Sequence, residues 1–570
     1  MNVRRPLALG IVLTTAILAV HLVILNDYGL TWDFHHHFFE GLHMLRQPIT
    51  PEMTDHIPFS APDPRTSIEL PFGPLMSIAP TASYLLLFEN LKLLAFDNTY
   101  NIAIVVTGVL GIFILFLFLK EAFDRKTAIV GALFLALLPR YFADLHNNMK
   151  DVPLASAFAL ALYMVWRLVN YRRPKDLWLA VIAFAIAFNT KVNALAVPII
   201  AVLWIGIILI THAARLLKKP VIRTRLASLL PTIGAYFVLA PVAAFALWSF
   251  FFADPLNTLL YIPRFFQLNT VNVEVLYFGK WFCSAVNIPW HYPYGYLAIT
   301  TPLPILAFFI IGLFTIFGQI TNVLFKHNAM NSELITKLLF LLWFFVPLAR
   351  YLIPTMGVLD GIRHFEEVVF PLSAIAAIGF TSVLRLIRPP LGILQGVALK
   401  SITIIITAGI FAYLSMQIIL YHPYQITYFN ELVGGIKGAF GRFDLDYWGT
   451  SQKQAMAWLN ENAPVGSKIY VVMAADVAAK YLRPDLRQQL NTTWYDDADY
   501  VVVLNRQSFF YRYFYIVEYM LMRKTAYVVE SQGVPLTWIF DNSLGQFPRG
   551  KEWWRGDSPC IQRYWAITPE

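Results

Sequence analysis

The chain has 570 residues, 58% of them hydrophobic and only 14% charged, with a formal net charge of +9 and a mean hydropathy of +0.56. That balance excludes a soluble globular protein and reads as a polytopic α-helical membrane protein. The basic residues lie in short loops between apolar runs rather than in one aromatic-studded groove, so topology and not nucleic acid accounts for the charge.

In chain order, apolar runs of spanning length lie at 6–26, 100–119, 127–143, 152–169, 192–211, 227–252, 300–325, 338–356, 367–384 and 401–420, with a shorter one at 177–188. Together they make eleven expected spans, the shortest reaching full length only by extending into its polar flanks. The basic start MNVRRPLALG resembles a signal peptide, but the run after it is long enough to span and shows no small-residue cleavage site, so it reads as a retained first helix. With Arg4 and Arg5 cytoplasmic, the pairs Arg125 and Lys126, Arg172 and Arg173, Lys218 and Lys219, and Arg385 and Arg388, together with Lys326, fall on the same side, as the positive-inside rule requires. The odd count then places the loops 27–97 and 253–297 on the outer face.

The expected organisation is a membrane module over 1–421 and a small extracytoplasmic α/β domain over 422–570, in which KIYVVMA, DADYVVVLN, TAYVVE and PLTWIF read as strands and SQKQAMAWLNENAP as a helix. The expected location is a bacterial plasma (inner) membrane, or the endoplasmic reticulum membrane in a eukaryote. An apolar stretch near 72–95 interrupts the first outer loop and reads as an interfacial or re-entrant helix, since a span there would invert every basic loop downstream. The only cysteines, Cys283 and Cys560, provide neither a disulfide framework nor a thiolate metal site, and leave one bridge between them open.

The outer ends of the spans carry the chemistry. Directly after the first run, TWDFHHHFFEG places Asp33 before a short amphipathic helix at the membrane surface, with His36, His37 and Glu40 on one face and Phe34, Phe38, Leu42 and Leu45 on the other. After the third, LLPRYFADLHNNMKDVPLA crowds Arg140, His146, Asn147, Asn148, Lys150 and Asp151 into one turn. A helix cap alone would explain Asp151, but not the Lys, His and Asn pair beside it. NTKVNAL sets Lys191 at the outer surface against the positive-inside trend, and MGVLDGIRHFEEVVFP adds Asp360, Arg363, His364, Glu366 and Glu367 near Arg350. Any one of these can be a snorkelling anchor; together they suit an anion held between helix ends. The loop before the 300–325 run contributes Tyr277, Trp281, Trp290, Tyr292, Tyr294 and Tyr296, surfaces as fitting for a sugar as for an interfacial belt. Basic groups would neutralise a lipid-linked phosphate as it leaves, and Asp33 is the candidate to take the proton of an attacking hydroxyl.

At TWDF, PRYFADLHNNMKDVPLA, NTKVNAL, LDGIRHFEEVVFP and HPYQITYFNELVGGIKGAFGRFDLDYWGTS the chain resembles GT-C glycosyltransferases of family 39, the group of dolichyl-phosphate-mannose protein mannosyltransferases and lipid A aminoarabinose transferases. The resemblance implies an inverting transferase that moves a sugar, mannose or another hexose or pentose, from a polyprenyl-phosphate donor to a protein, lipid or glycan acceptor. It implies Asp33 as catalytic base, Asp151 as organiser of the site, and Lys191, Arg140 and Arg363 as phosphate contacts. Family members often carry Asp-Glu at the first position; here Phe34 follows Asp33, which leaves acceptor contact to Glu40 or a nearby histidine. No cofactor is implied. A divalent cation is the weaker reading, because adjacent helical histidines diverge and only His36 or His37 with Asp33 or Glu40 has chelating spacing. The rival reading is a secondary transporter or flippase of lipid-linked sugar, favoured only by His21 and the polar NTKVN break.

Overall fold

The computed structural model describes residues 4–48, 73–216, 220–248, 256–257, 260, 273–326, 330–353, 355–386, 393–511, 513–544 and 560. Parts of the expected loops 27–97 and 253–297, and most of the tail beyond 544, lie outside the described residues. A helix lies in each expected apolar run: α1 Arg4–Val23, α4 Phe96–Ala122, α5 Arg125–Ala136, α7 Asp151–Tyr171, α8 Pro174–Phe188, α9 Ala196–Leu216, α10 Pro220–Ala246, α12 Leu303–Phe325, α13 Ser332–Ala349, α14 Val369–Leu386 and α15 Ile393–Leu420. Among the described residues, seven helical stretches are long and apolar enough to cross a membrane, or eight if one bent pair counts as a span, while Leu7–Val23 and Leu230–Ala246 are shorter apolar helices. The chain is thus a mostly helical, multi-pass membrane protein.

Two segments depart from continuous spans. The expected run 127–143 breaks after α5, and α6 Pro139–Asn147 leaves at 63°. Pro139 lacks an N–H and drives Leu138 into extended backbone (φ −74°, ψ 115°), which ends α5 at Ala136, about two turns short of the expected end. The break puts Arg140, Asp144 and His146 on a short helix buried along its whole length, where their polar groups meet protein instead of lipid. The stretch near 72–95 is the helix α3 Leu75–Tyr84, with Pro80 inside it, too short to span. It lies over α2 Phe34–Met44 so closely that a Cβ on Gly41 would stand 2.2 Å from the Ser77 carbonyl oxygen.

Between β1 Glu274–Tyr277 and β2 Lys280–Cys283 a tight hairpin forms, absent from the sequence reading. Its two-residue turn holds Phe278 at φ 51° and Gly279 at φ 74°, the left-handed pair such a turn needs. The short helix α11 Tyr292–Thr300 follows. Cys283 at the end of the hairpin is bonded to Cys560, Cα to Cα 5.4 Å.

After α15 the expected strands form one sheet. Its order is β3 Ile469–Val471, β4 Tyr500–Leu504, β6 Val534–Asp541 and β5 Thr525–Ser531, with β3 and β4 parallel and the other pairs antiparallel. The expected helix is α16 Gln452–Asn462, and α17 Phe514–Met522 precedes β5. This region seats on the helix ends: Lys453 Nζ donates to the carbonyls of Asn26 (2.7 Å) and Tyr28 (3.0 Å) and to Asp97 Oδ2 (2.7 Å).

Where helices cross without a hydrophobic drive between them, small residues permit close backbone approach. At α12 and α14 a Cβ on Gly312 would lie 2.1 Å from the Ile375 carbonyl oxygen and one on Gly379 2.0 Å from that of Phe308, whereas Gly318 on α12 meets nothing within 4 Å. Gly312→Val should therefore lower the melting temperature of the detergent-solubilised protein, at an overpacking cost of about 1–3 kcal/mol. Gly318→Val should leave it unchanged, and equal melting of the two variants would remove the crossing from the account.

Candidate active site

The segment before α2 is pinned on both sides: Thr31 Oγ1 donates to the Asn147 carbonyl at 2.9 Å and the Trp32 amide to the Trp448 carbonyl at 3.0 Å. Asp33 then sits at the N-cap of α2 with no capping hydrogen bond, so its carboxylate is committed elsewhere. The helix itself is not the solvated surface helix its pattern predicts. Phe34, Phe38, Phe39 and Leu42 are buried, and so are His37 and Glu40 on the other face, because α3 and the C-terminal region cover it. Phe34 and Phe38 stack on each other at 5.1 Å and both meet Phe96 and Tyr100 edge-on at 4.8–6.2 Å, which turns residue 34 away from the Asp33 carboxylate.

Asp33 is held by two cations from distant parts of the chain. Lys150 Nζ donates to its Oδ2 at 2.6 Å and Arg363 Nη1 to the same oxygen at 3.1 Å. The Asp33 side chain keeps 31% exposure while those of Lys150 and Arg363 keep 9% and 10%, so the carboxylate faces the open side and the cations back it. The Arg363 guanidinium lies over the Trp448 ring, 4.6 Å from its centroid. Burial pushes the Asp33 carboxyl up, but the adjacent Lys150 and Arg363 charges and the Lys150 hydrogen bond outweigh it and hold the group well below the usual carboxylate range.

A second ion pair lies behind the first. Lys191 Nζ donates to Asp151 Oδ1 at 2.5 Å, both side chains nearly inaccessible. Burial pushes the Lys191 ammonium down and the Asp151 carboxylate opposes it. Asn148 locks this pair in place: its Oδ1 accepts the Asp151 amide at 2.9 Å, and its Nδ2 donates to Asp151 Oδ2 and Glu366 Oε2, each at 3.2 Å. Asp151 therefore does not cap α7: it is the first helical residue, Asn148 takes its amide, and its carboxylate is shared between Lys191 and Asn148.

The remaining expected residues divide. Glu40 Oε2 accepts the Ser77 hydroxyl at 2.5 Å, its Oε1 has no partner among the described residues, and burial raises its carboxyl against the Ser77 hydrogen bond. Asn147 is buried with neither side-chain polar atom partnered among the described residues. Arg140 is 1% exposed, gives Nε to the Tyr428 carbonyl at 3.2 Å and packs 4.7 Å over the Phe429 ring; it touches neither Asp33 nor Asp151. His146 belongs to a separate cluster, its Nε2 2.8 Å from His21 Nδ1 and its ring stacked 3.9 Å from that of Tyr28. His364 gives its carbonyl to Arg350 and Tyr351, and its Nε2 is buried without a partner among the described residues. Tyr292 is wholly buried, its hydroxyl accepting the Gly361 amide at 3.1 Å, and so is a support under the 360–361 turn instead of an open stacking surface. Among the described residues no three His, Cys, Asp or Glu side chains gather as a metal-ligand set; His37 Nδ1 and Glu40 Oε2 stand 3.6 Å apart.

Trp448 and Arg506 were not singled out as site residues by sequence, although Trp448 lies in a motif that stood out there, and Asn148 was named only as part of the crowded turn. Arg506, whose Nη2 donates to Asp360 Oδ1 at 2.7 Å, gave no signal in the sequence. Because the folded Asp33 carboxyl titrates below the unfolded-chain value of about 3.9, its pairing contributes stability that is full above that value and lost as pH falls through the lower folded one. Lys150→Met removes the nearer cation and brings the folded value back toward the unfolded one, so a melting-temperature profile from pH 7 to about 2 should start lower and show a shallower acid limb. An unchanged limb would mean the pairing does not govern Asp33.

Residues 82–249, which include α6, Lys150, Asp151 and Lys191, match the family model described as dolichyl-phosphate-mannose-protein mannosyltransferase. No curated protein sequence matches the chain. Among solved structures, ArnT from Cupriavidus metallidurans bound to undecaprenyl phosphate is similar at 13% identity and a TM-score of 0.46, covering 95% of this chain and 99% of its own. The apo form of the same protein is similar at 12% identity and a TM-score of 0.46 over the same shares. The archaeal oligosaccharyltransferase AglB from Archaeoglobus fulgidus, in complex with an inhibitory peptide and a dolichol-phosphate, is similar at 12% identity and a TM-score of 0.40, over 86% of this chain and 69% of its own. The family match at residues 82–249 falls on the same motifs, PRYFADLHNNMKDVPLA and NTKVNAL, that carry the resemblance read from the sequence.

Proposed function

We propose that the chain is an inverting glycosyltransferase that moves a sugar, mannose or another hexose or pentose, from a polyprenyl-phosphate donor to a hydroxyl of a protein, lipid or glycan acceptor on the extracytoplasmic face. The observation that carries this reading is the half-exposed Asp33 carboxylate, backed by Lys150 and Arg363 where helix ends converge. A base and two phosphate-sized cationic contacts stand there within one hydrogen-bonding radius. The acceptor oxygen attacks the anomeric carbon as the bond from that carbon to the phosphate oxygen breaks. The electron pair leaves with the polyprenyl phosphate, Asp33 takes the acceptor proton, and configuration inverts in the single displacement. Lys150 and Arg363 neutralise the charge that grows on the departing phosphate. Lys191, paired to Asp151 behind them, adds to the positive field, and Glu40 Oε1 is the candidate partner for the acceptor in place of the acid that Phe34 replaces.

Two further observations support the reading. An apolar groove between α8, α9 and α10, lined by Phe184, Phe188, Tyr236, Phe237 and Phe245, suits the lipid chain of such a donor. The bond between Cys283 and Cys560 suits an oxidising, extracytoplasmic compartment for both of their segments.

Purified protein in nanodiscs, supplied with polyprenyl-phosphate carrying radiolabelled mannose, glucose or a pentose and with envelope extract as acceptor, should produce labelled acceptor. Asp33→Asn should insert and melt normally yet lose roughly 10²–10⁴-fold in rate. Full activity in that variant would remove Asp33 as base, and movement of labelled lipid across proteoliposomes without any glycosyl product would replace the transferase with a flippase. For orientation, a membrane-impermeant maleimide added to intact cells should label Cys283 and Cys560 only after external reduction; labelling that requires lysis would place them inside.

A further inference from the structure

Arg506 follows β4, in the C-terminal region, and is 5% exposed. Its guanidinium lies 3.8 Å above the Phe509 ring centroid and 5.3 Å from that of Trp32, the neighbour of Asp33. Nη1 donates to the Tyr447 carbonyl at 3.0 Å and Nη2 to Asp360 Oδ1 at 2.7 Å. The other oxygen of Asp360 takes Arg363 Nη2 at 3.0 Å, and Arg363 Nη1 reaches Asp33 Oδ2 at 3.1 Å. Each arginine uses two nitrogens on two partners and Asp360 uses each oxygen once, so the four charges form one alternating line from the C-terminal region to the half-exposed carboxylate. The line cannot slide at Asp360, because that residue and Gly361 are both left-handed (φ 55° and 68°) and the Gly361 amide is held by the Tyr292 hydroxyl. A Cβ on Gly361 would also stand 2.7 Å from Arg140 Nη1, which closes the turn from the other side.

We propose that Arg506 is a positioning residue for the base: by holding Asp360 it fixes Arg363 between Asp360 and Asp33, so that the C-terminal region completes the site in the membrane module. This rests on the reading of Asp33 as base. The alternative role for the same pair is docking alone, as Lys453 and Asp97 dock at 2.7 Å with no line to Asp33. The two roles differ in charge balance. Without Arg506 the unopposed Asp360 draws Arg363 toward itself and away from Asp33, whereas losing a docking pair changes nothing at Asp33. The groups that face Asp33 besides Arg363 are Lys150 ahead of α7, His37 on its own helix and Tyr100 on α4.

The test uses the full chain in detergent, with carbodiimide and glycine ethyl ester labelling of Asp33 followed across pH by peptide mass spectrometry, beside the transfer rate. Arg506→Gln should move the Asp33 labelling curve to higher pH and slow transfer roughly ten- to hundredfold. Arg506→Lys, which keeps the charge and the fold, should show a smaller shift in the same direction. The double variant Arg506→Gln with Asp360→Asn, which removes the unopposed charge, should return the curve toward that of the native chain. Lys453→Met should lower the melting temperature without moving the curve. A curve unmoved in both Arg506 variants, or a double variant as displaced as the single one, would reduce Arg506 to docking. An active Asp33→Asn beside a shifted Arg506→Gln curve would overturn the base and leave the positioning; an inactive Asp33→Asn beside an unmoved curve would do the reverse.

Discussion

Two cations on one carboxylate organise this molecule. Asp33, Lys150 and Arg363 are 117 and 330 residues apart in sequence along their two contacts, and they meet only if the first helix, the break after α5 and the entry to α14 end at the same depth and on neighbouring sides. Taking an arginine and a lysine out of water is costly unless each is paired and hydrogen-bonded. Here the pairing continues outward through Asp360 and Arg506, and a parallel pair, Asp151 with Lys191, sits behind it. The unusual local features of the fold serve that convergence: the Pro139 break delivers the Asn148–Asp151 turn, the left-handed Asp360–Gly361 turn delivers Arg363, and the Trp32–Trp448 backbone bond sets the height of Asp33.

The arrangement also separates two jobs that a transferase site has to do. The carboxylate, not its cations, has the more open side, so under the proposed function an acceptor hydroxyl would reach Asp33 without displacing the basic groups. Those groups keep the carboxylate ionised, and under the proposed function the same charges would attract the donor phosphate. A phosphate that engages Lys150 and Arg363 weakens their hold on Asp33 and increases its basicity as the displacement begins.

Depth was legible in the sequence; direction around each helix was not. Hydropathy located the apolar helices and the four strands, and the excess of polar residues at helix ends pointed to Asp33, Lys150, Asp151, Lys191 and Arg363, which the fold gathers into one triad and one pair. Periodicity carries no information about which helices are neighbours. His146 therefore read as part of the same turn as Lys150, although the short helix α6 turns it to His21 and Tyr28. Arg140 likewise lies beneath the site among aromatic rings, and Tyr292 supports a turn from within. The α2 segment was read from its two-faced pattern as a surface helix, because nothing local shows that α3 and the C-terminal region would cover the polar face. Arg506 stayed silent for the same reason: its partner Asp360 is 146 residues away, and an arginine after a strand has many ordinary uses.

The most direct measurement is a structure of the full chain with polyprenyl phosphate bound. The account predicts the phosphate oxygens within hydrogen-bond distance of Lys150 and Arg363, with the lipid leaving along the groove between α8 and α10 and the Asp33 carboxylate facing the vacant acceptor side. A phosphate bound away from both cations, with the Lys150–Asp33 pair intact and buried beneath other residues, would contradict it.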